Sequence, residues 1–300
     1  MSHIEYLDRR ERMMKVGVHV SKAGGLSRAL QDAIDLKCDT IQMFAGSPRS
    51  LRQSVIDEDE ASAFRLGLAE EHIKPLVVHA PYLLNLASPK EATHELSTRA
   101  LADEITRCRS LGADCLVFHP GNHLGSGIEA GIQRIAAAII KACDIAELTR
   151  SDGLLLLLEM VSGAGTEVGW MFQHQRAIMD MAEDAPLGIC MDTCHMFVAG
   201  HDIATREGLG GTLEQLDRIL GMSRVAVVHA NDSVGMLGSR LDRHADIGRG
   251  MIGEEGFRVI LGNSKLRELP FVLETPKKSL EDDRRNLAAI RRLAREAVIW

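Results

Sequence analysis

The chain has 300 residues, a length that matches one α/β barrel of roughly 250 residues plus insertions. Its composition is 45% hydrophobic but only 4% aromatic, which favours a barrel lined by aliphatic side chains over a β-sandwich or a membrane protein. The net charge of −7 excludes a protein that coats nucleic acid through bulk positive charge, but it leaves DNA open as a substrate, because acids that hold divalent cations are counted here at full negative value.

The first 14 residues are charged and are predicted to form an extension outside the fold. They lack the apolar segment of a secretory signal, and the longest apolar run of the chain, residues 154–158, is too short to span a bilayer. A cytoplasmic protein is therefore expected, and we also expect a monomer without an obligate protein partner. Six cysteines without a CxxC pair indicate reduced thiols. Cys190 and Cys194 stay open as zinc ligands, although buried packing is favoured.

Short apolar runs, typical of buried parallel strands, alternate regularly with amphipathic segments of helical period. The predicted strands lie at residues 15–20, 40–44, 75–80, 115–119, 153–159, 187–192, 224–230 and 269–274. The clearest predicted helices lie at residues 91–111, 127–149, 212–220 and 280–296. Eight β-α units without an intervening linker predict a single (β/α)₈ TIM barrel over residues 15–300, with an open doubly wound sheet as the alternative.

The C-terminal ends of the predicted strands share one chemistry, and in this fold the active site lies at those ends. Seven of the eight strands close on an ionisable side chain: His19, His79, His119, Glu159, Asp192, His229 and Glu274. A single histidine in such a place is more often an ordinary hydrogen-bonding residue than a ligand. So many imidazoles and carboxylates at one barrel mouth would repel or shift one another's pKa values, whereas divalent cations would stabilise them. The pattern therefore predicts a metal site.

Further ligand-type side chains follow the sixth and seventh strands. His195 lies three residues after Asp192, and Asp242 and His244 lie in a long polar loop, where alone they would indicate only an exposed charged segment. With them the candidate ligands number nine: His79, His119, Glu159, Asp192, His195, His229, Asp242, His244 and Glu274. One ion takes four to six ligands, so two or three ions with a bridging carboxylate are expected. Imidazole with carboxylate suits Zn²⁺ first, with Mn²⁺ or Fe as substitutes.

These motifs resemble the endonuclease IV family, the zinc-dependent apurinic/apyrimidinic endonucleases of DNA base excision repair. The resemblance spans nearly the whole chain and rests on residues 17–25, 79–86, 118–121, 191–195, 229–253 and 273–276. It implies a (β/α)₈ barrel that holds about three zinc ions. His79, His119 and Glu159 would hold the first, and Glu159 would bridge to a second held by Asp192, His229 and Glu274. The third would be held by His195, Asp242 and His244.

The resemblance also implies a reaction and a substrate. The reaction is metal-assisted hydrolysis of the phosphodiester 5′ to an abasic site in double-stranded DNA, leaving a 3′-hydroxyl and a 5′-deoxyribose phosphate, together with 3′-end cleaning. Glu159 would be the catalytic residue that orients the attacking hydroxide. Arg49, Tyr82 and Leu83 match residues that wedge into the bent duplex, although alone they would be interpreted as a surface charge and as loop packing.

Lys22 and Asn231 are expected as further DNA contacts. The sequence departs from the family pattern at Leu51, Met160, Ala164 and Val234, where the family often has Trp, a polar residue, Gln and Lys. None of the nine candidate ligands is altered. The resemblance therefore implies that the catalytic activity is intact and that any difference is confined to the affinity for DNA or the range of lesions.

Two other functions compete with this one. A sugar isomerase or epimerase of the xylose-isomerase-like barrels would use Glu159, Asp192, His229 and Glu274 around one or two metals. It would leave five candidate ligands without a role: His79, His119, His195, Asp242 and His244. A barrel that binds damaged DNA without cutting it is the third possibility, but loss of activity usually erases ligands first, and here all nine remain.

Overall fold

A computed structural model describes residues 14–51 and 55–300. That part of the chain contains the strands β1 (Val16–His19), β2 (Thr40–Phe44), β3 (Leu76–His79), β4 (Cys115–Phe118), β5 (Leu155–Glu159), β6 (Leu187–Asp192), β7 (Val225–His229), β8 (Asp232–Ser233), β9 (His244–Ala245) and β10 (Phe271–Leu273). Eight of them form a closed parallel barrel in the order β1, β10, β7, β6, β5, β4, β3, β2. The predicted (β/α)₈ architecture is confirmed.

Helices follow the barrel strands in the described residues. They are α1 (Leu26–Asp35), α2 (Glu58–Glu70), α3 (Glu91–Leu111), α4 (Ile128–Ala146), α5 (Phe172–Met181), α6 (Thr193–Ala199), α7 (Arg206–Ile219), α8 (Gly253–Gly262) and α9 (Leu280–Glu296). Short 3₁₀ turns precede β5, β7 and β10. Among these described helices, none is long and apolar enough to cross a membrane.

The interior of the barrel is a separate buried cluster, and its residues explain where the polar side chains point. The cluster consists of Val77, Cys115, Val117, Leu157, Cys190, Val227 and Val272. Side chains two positions apart on a strand face the same side. Six candidate ligands lie two residues after a member of this cluster: His79, His119, Glu159, Asp192, His229 and Glu274. The strand period therefore directs all six toward the barrel mouth.

Helix α7 begins earlier than the sequence indicated. The predicted helix started at residue 212, after a pair of glycines, whereas the structure starts it at Arg206. The side chain of Thr205 accepts a hydrogen bond from the Gly208 amide at 3.0 Å and caps the helix. The predicted boundary was wrong because Gly210 and Gly211 lie inside the helix rather than before it.

The predicted N-terminal extension falls almost entirely outside the described residues, since the structure begins at Met14, which packs against the core. All six cysteines are buried and unpaired. Burial raises the pKa of the Cys190 and Cys194 thiols to about 12, so both are protonated near neutral pH. This supports the interpretation of Cys190 as a packing residue, whereas the Cys194 thiol also lies with Asp242 and His244 in a group that could hold a metal ion.

Candidate metal centre

The structure brings the nine candidate ligands together at one end of the barrel. His79, His119 and Glu159 form one group, and Glu159 also belongs to a second group with Asp192, His229 and Glu274. Asp192, His195 and His244 form another, and within each group the ligand atoms lie within 4.8 Å of one another. Asp242 lies beside this last group, since its Oδ1 is 3.1 Å from His195 Nε2 and 3.7 Å from His244 Nε2.

Glu159 occupies the junction between two of these groups. Its Oε2 lies 3.1 Å from His79 Nε2 and 3.2 Å from His119 Nε2. Its Oε1 lies 3.2 Å from Nδ1 of His229 and 3.2 Å from Nδ1 of His195. The side chain is fully buried at the end of β5. Each carboxylate oxygen therefore faces a different pair of imidazoles, which is the geometry that a bridging ligand requires.

His195 reaches the centre because α6 starts directly at the end of β6. Asp192 is the N-cap of this helix, and its Oδ1 accepts a hydrogen bond from the His195 amide at 2.7 Å. The ring of His195 is held on its other side, where Nδ1 lies 3.1 Å from the Met160 carbonyl oxygen. One turn of helix thus places an imidazole beside the carboxylate that caps it.

The loop after β7 supplies the last two candidate ligands. Asp232 pairs with Ala245, and Ser233 pairs with His244, in the antiparallel ribbon β8–β9. The buried Asp232 carboxylate accepts hydrogen bonds from the backbone amides of Ser233, Ile252 and Gly250 at 2.7, 3.0 and 2.8 Å. The Asp232 carboxylate therefore ties β8 to the backbone of Gly250 and Ile252, which follow β9. The ribbon holds His244 over His195, with their Nε2 atoms 3.5 Å apart.

Charged neighbours at the centre shift the pKa values of an acidic and a basic group in opposite directions. Burial alone would raise the pKa of the Glu159 carboxyl, but the adjacent imidazoles of His119 and His229 hold the pKa well below its usual range. Burial alone would lower the pKa of His195, but Asp192, Asp242 and Glu159 raise it well above its usual range. The Glu159 carboxylate thus stays ionised, and without metal the imidazole of His195 tends to hold a proton.

The donor set fits divalent cations. Carboxylate oxygens and imidazole nitrogens from six strand ends converge, and several are fully buried, including Glu159, Asp192 and His229. Buried charges of this kind need a partner, and a cation takes the place of the protons. These groups are therefore candidate metal-binding sites, and assigning an ion to each group remains a prediction.

Strand β2 contributes a residue that the sequence interpretation missed. Gln42 is fully buried and contacts Glu274 and His229 through the two ends of its amide, at 2.5 and 2.8 Å. It was missed because it lies inside the apolar run 40–44 rather than at its end. The signal was present, since a lone amide at a lumen-facing position of a buried strand needs a polar partner. The same amide lies 3.0 Å from His19 Nδ1, so His19 faces Gln42.

The proposed wedge residues lie beside the centre and are exposed. Tyr82 is 60% exposed and Leu83 is 53% exposed, directly after the β3 end that carries His79. The Tyr82 ring packs edge-on against Phe44, with centroids 5.2 Å apart, and lies 5.6 Å from the His79 ring. Arg49 is exposed in the loop after β2. Their contact with DNA remains a prediction.

The structure shows the surroundings of Asn231 and Lys22, the two further residues that were expected to contact DNA. Asn231 was expected to touch DNA, but this was wrong: it is fully buried, with Nδ2 donating to Asp192 at 2.6 Å and Oδ1 accepting from the Glu274 amide at 2.8 Å. Lys22 is partly buried and donates from Nζ to the Ala45 carbonyl at 2.5 Å, which ties together the loops after β1 and β2. Asn231 therefore supports the centre from within.

The departures from the family pattern lie in different surroundings. Met160 is fully buried: its side chain packs in the hydrophobic core, and its carbonyl oxygen contacts His195. The Ala164 amide donates to Glu167 at 2.9 Å. Leu51 packs against the core, and Val234 is 46% exposed in the loop after β7. Val234 alone presents an altered side chain to solvent near the candidate ligands of that loop.

Comparisons with known proteins agree with this geometry. The family profile described as a xylose isomerase-like TIM barrel matches residues 30–297. A protein of Chloroflexus aurantiacus named probable endonuclease 4 is 42% identical over 287 residues, which cover 95% of this chain and 100% of that protein. The crystal structure of endonuclease IV from Thermus thermophilus has a TM-score of 0.84 at 38% identity, covering 94% of this chain and 100% of that one.

A likeness to sugar epimerases extends to the fold alone. D-psicose 3-epimerase from Clostridium cellulolyticum has a TM-score of 0.69 at 14% sequence identity, and the match covers 96% of this chain and 100% of that chain. An identity this low carries no functional residue across.

Proposed function

This chain belongs to the endonuclease IV family, and on that premise we propose that it is a DNA repair endonuclease acting on abasic sites in double-stranded DNA. The bond hydrolysed is the phosphodiester on the 5′ side of the abasic nucleotide, leaving a 3′-hydroxyl and a 5′-deoxyribose phosphate. Cleaning of blocked 3′ ends is a second activity of the same site. The working unit is a monomer whose catalytic domain spans residues 15–300.

The observation that carries this proposal is the surplus of ligand-type side chains. A sugar isomerase needs only the Glu159, Asp192, His229 and Glu274 group. Five more candidate ligands adjoin that group: His79, His119, His195, Asp242 and His244. Adjacent groups share Glu159 and Asp192. Shared carboxylates of this kind suit a cluster of ions that acts on a phosphodiester.

We propose zinc as the resident metal because imidazole and carboxylate donors suit it. His79, His119 and Glu159 would hold one ion. Glu159, Asp192, His229 and Glu274 would hold the second, and His195, Asp242 and His244 the third. When bound, such ions neutralise charge on the phosphoryl oxygens and make water acidic enough to act as a nucleophile near neutral pH.

The protein's own side chains then select and place the DNA. Tyr82 and Leu83 present apolar surface at the rim, beside His79, where an unpaired nucleotide would enter. Extrusion is least costly where a base is already missing, so these side chains favour an abasic site over an intact pair. Arg49 lies at the same rim and supplies positive charge to the backbone of a bent duplex.

One preparation of the protein tests the proposal. Metal content is measured by elemental analysis, and the same sample is incubated, without added Mg²⁺, with a labelled duplex that carries one abasic site. We expect about three zinc ions per chain and incision on the 5′ side of the lesion. A matched duplex with an intact base at that position is the control.

Two results would contradict the proposal. One is a zinc content near zero in protein that is folded. The other is a preparation that epimerises a ketose but leaves the abasic duplex uncut, since that would assign the chain to the sugar enzymes with which it shares its fold.

A further inference from the structure

Gln42 lies beneath the candidate metal centre and touches it at two points. It is the third residue of β2, it is fully buried, and it faces the barrel mouth between β1 and β3. Its Nε2 lies 2.5 Å from Glu274 Oε1 and 3.0 Å from His19 Nδ1, while its Oε1 lies 2.8 Å from His229 Nε2. All three polar partners of the amide are thus strand-end side chains.

The direction of these hydrogen bonds follows from the carboxylate. As a candidate metal ligand, Glu274 acts as a carboxylate, which can only accept hydrogen bonds, and its Oε1 lies 2.5 Å from Gln42 Nε2. The Gln42 NH₂ group must therefore point at Glu274, and its carbonyl oxygen must point at His229. A carbonyl accepts, so His229 Nε2 carries a proton and donates it.

This orientation decides which nitrogen of His229 is available to a metal. With the proton on Nε2, a neutral imidazole has its lone pair on Nδ1. That atom lies 3.2 Å from Glu159 Oε1 and 3.3 Å from Glu274 Oε2, among the ligand atoms of the second group. A histidine ligand needs such a partner on its other nitrogen to fix both ring orientation and tautomer.

We propose that Gln42 is a positioning residue for the metal centre, which sets the tautomer of His229 and the carboxylate orientation of Glu274 through one amide. The inference rests on the proposed metal-dependent function. It also accounts for an amide in an otherwise apolar strand, because a buried amide without partners would be costly. Gln42 cannot touch the duplex, since it has no exposed surface.

The test measures Zn²⁺ binding, with incision as a second readout. Gln42→Met keeps the length of the side chain and removes the amide, and Gln42→Ala removes the amide without adding bulk. Metal-free protein is titrated with Zn²⁺ against a chromophoric chelator, which gives the stepwise affinities. We expect one zinc affinity to fall by about 10- to 100-fold in both variants, the range typical for loss of a partner behind a ligand.

Thr40→Val is the matched control on the same strand. Thr40 is also fully buried and donates from Oγ1 to the Pro75 carbonyl at 2.6 Å, at the opposite end of the barrel. Its loss removes one buried hydrogen bond and lowers stability, but zinc affinity is expected to stay at the wild-type value. A general loosening of β2 would weaken zinc binding in the control as well.

A second readout separates positioning from DNA binding. With zinc limiting, kcat for abasic-site incision is expected to fall in both Gln42 variants while KM stays unchanged, and excess Zn²⁺ is expected to restore part of kcat. The inference is overturned if the variants bind every zinc ion as tightly as the wild type, or if Thr40→Val loses as much affinity. Failure of the wild type itself to bind zinc would overturn the proposed function instead.

Discussion

Glu159 is the residue on which the centre depends most directly, because its two carboxylate oxygens face different groups of imidazoles. Glu159→Gln replaces one oxygen by an NH₂ group, which cannot bind a cation. We expect incision of an abasic duplex to fall by more than about 100-fold, since losing even an outer partner costs 10- to 100-fold. Binding of the duplex, measured by gel shift, is expected to persist because Glu159 is fully buried.

Glu104→Gln is a suitable control for that experiment. Glu104 is a second buried carboxylate, 3.2 Å from Arg107, on the outer helix α3 rather than at the barrel mouth. Its replacement disturbs a buried ion pair but no candidate ligand. Near-normal incision by Glu159→Gln, or an equal loss in Glu104→Gln, would remove the bridging role assigned to Glu159.

Tyr82 makes a different contribution, because its ring is exposed at the rim and lies tilted beside the His79 ring, with centroids 5.6 Å apart. Tyr82→Ala is expected to weaken binding to an abasic duplex by about 5- to 150-fold, since stacking on an aromatic ring contributes about 1–3 kcal/mol. Zinc content should remain that of the wild type. Leu66→Ala, which removes a comparably exposed side chain on α2, should leave the dissociation constant unchanged.

At the scale of elements, the ribbon β8–β9 decides whether Asp242 and His244 reach the other ligands. Gly250 packs so closely beneath the ribbon that an added Cβ would lie 2.3 Å from the Ser233 carbonyl oxygen and 2.5 Å from Asp232 Oδ1. Gly250→Ala must therefore push the loop off β8. We expect loss of about one zinc ion per chain and a lower melting temperature, measured by elemental analysis and calorimetry.

Gly211→Ala is the contrasting substitution. Gly211 lies inside α7, and an added Cβ there meets no atom within 4 Å. Alanine in a helix interior is more favourable than glycine by about 0.5–1 kcal/mol, so this variant should be slightly more stable and retain its zinc. If Gly250→Ala behaved in the same way, the ribbon would not be what positions Asp242 and His244.

The same scale shows why part of the centre was predictable and part was not. His79, Glu159, Asp192 and His229 could be identified because each closes an apolar run, and parallel strands bring their C-terminal ends together. Gln42 escaped this argument because it precedes the end of its strand. Asn231 was misassigned because its position after β7 indicates a loop, whereas contacts to Asp192 and Glu274, distant in sequence, bury it.

At the scale of the whole molecule, the centre joins the ends of six barrel strands, so metal binding and global stability are coupled. Burial alone would lower the pKa values of His119 and His229 in the metal-free protein. The Glu159 carboxylate outweighs burial at His119, and the carboxylates of Glu274 and Glu159 outweigh it at His229, so both pKa values are raised. Away from the centre the shift has the opposite sign, since burial lowers the pKa of the buried His174 and of the partly buried His201.

The raised pKa values fix the sign of a pH effect on the metal-free protein. An imidazole whose pKa is higher in the folded than in the unfolded state stabilises the fold fully below its unfolded value of about 6.5, and this contribution disappears as pH rises through the folded value.

Zinc takes the place of those protons. We therefore expect the difference in melting temperature between zinc-loaded and chelator-treated protein to widen as pH rises above about 6.5. We also expect the protein to release protons when Zn²⁺ is added at neutral pH. Calorimetry across that range, with titrations in buffers of different ionisation enthalpy, measures both. A difference in melting temperature that stayed constant with pH, together with no proton release, would mean that the imidazoles of His119, His195 and His229 are neutral before metal binds.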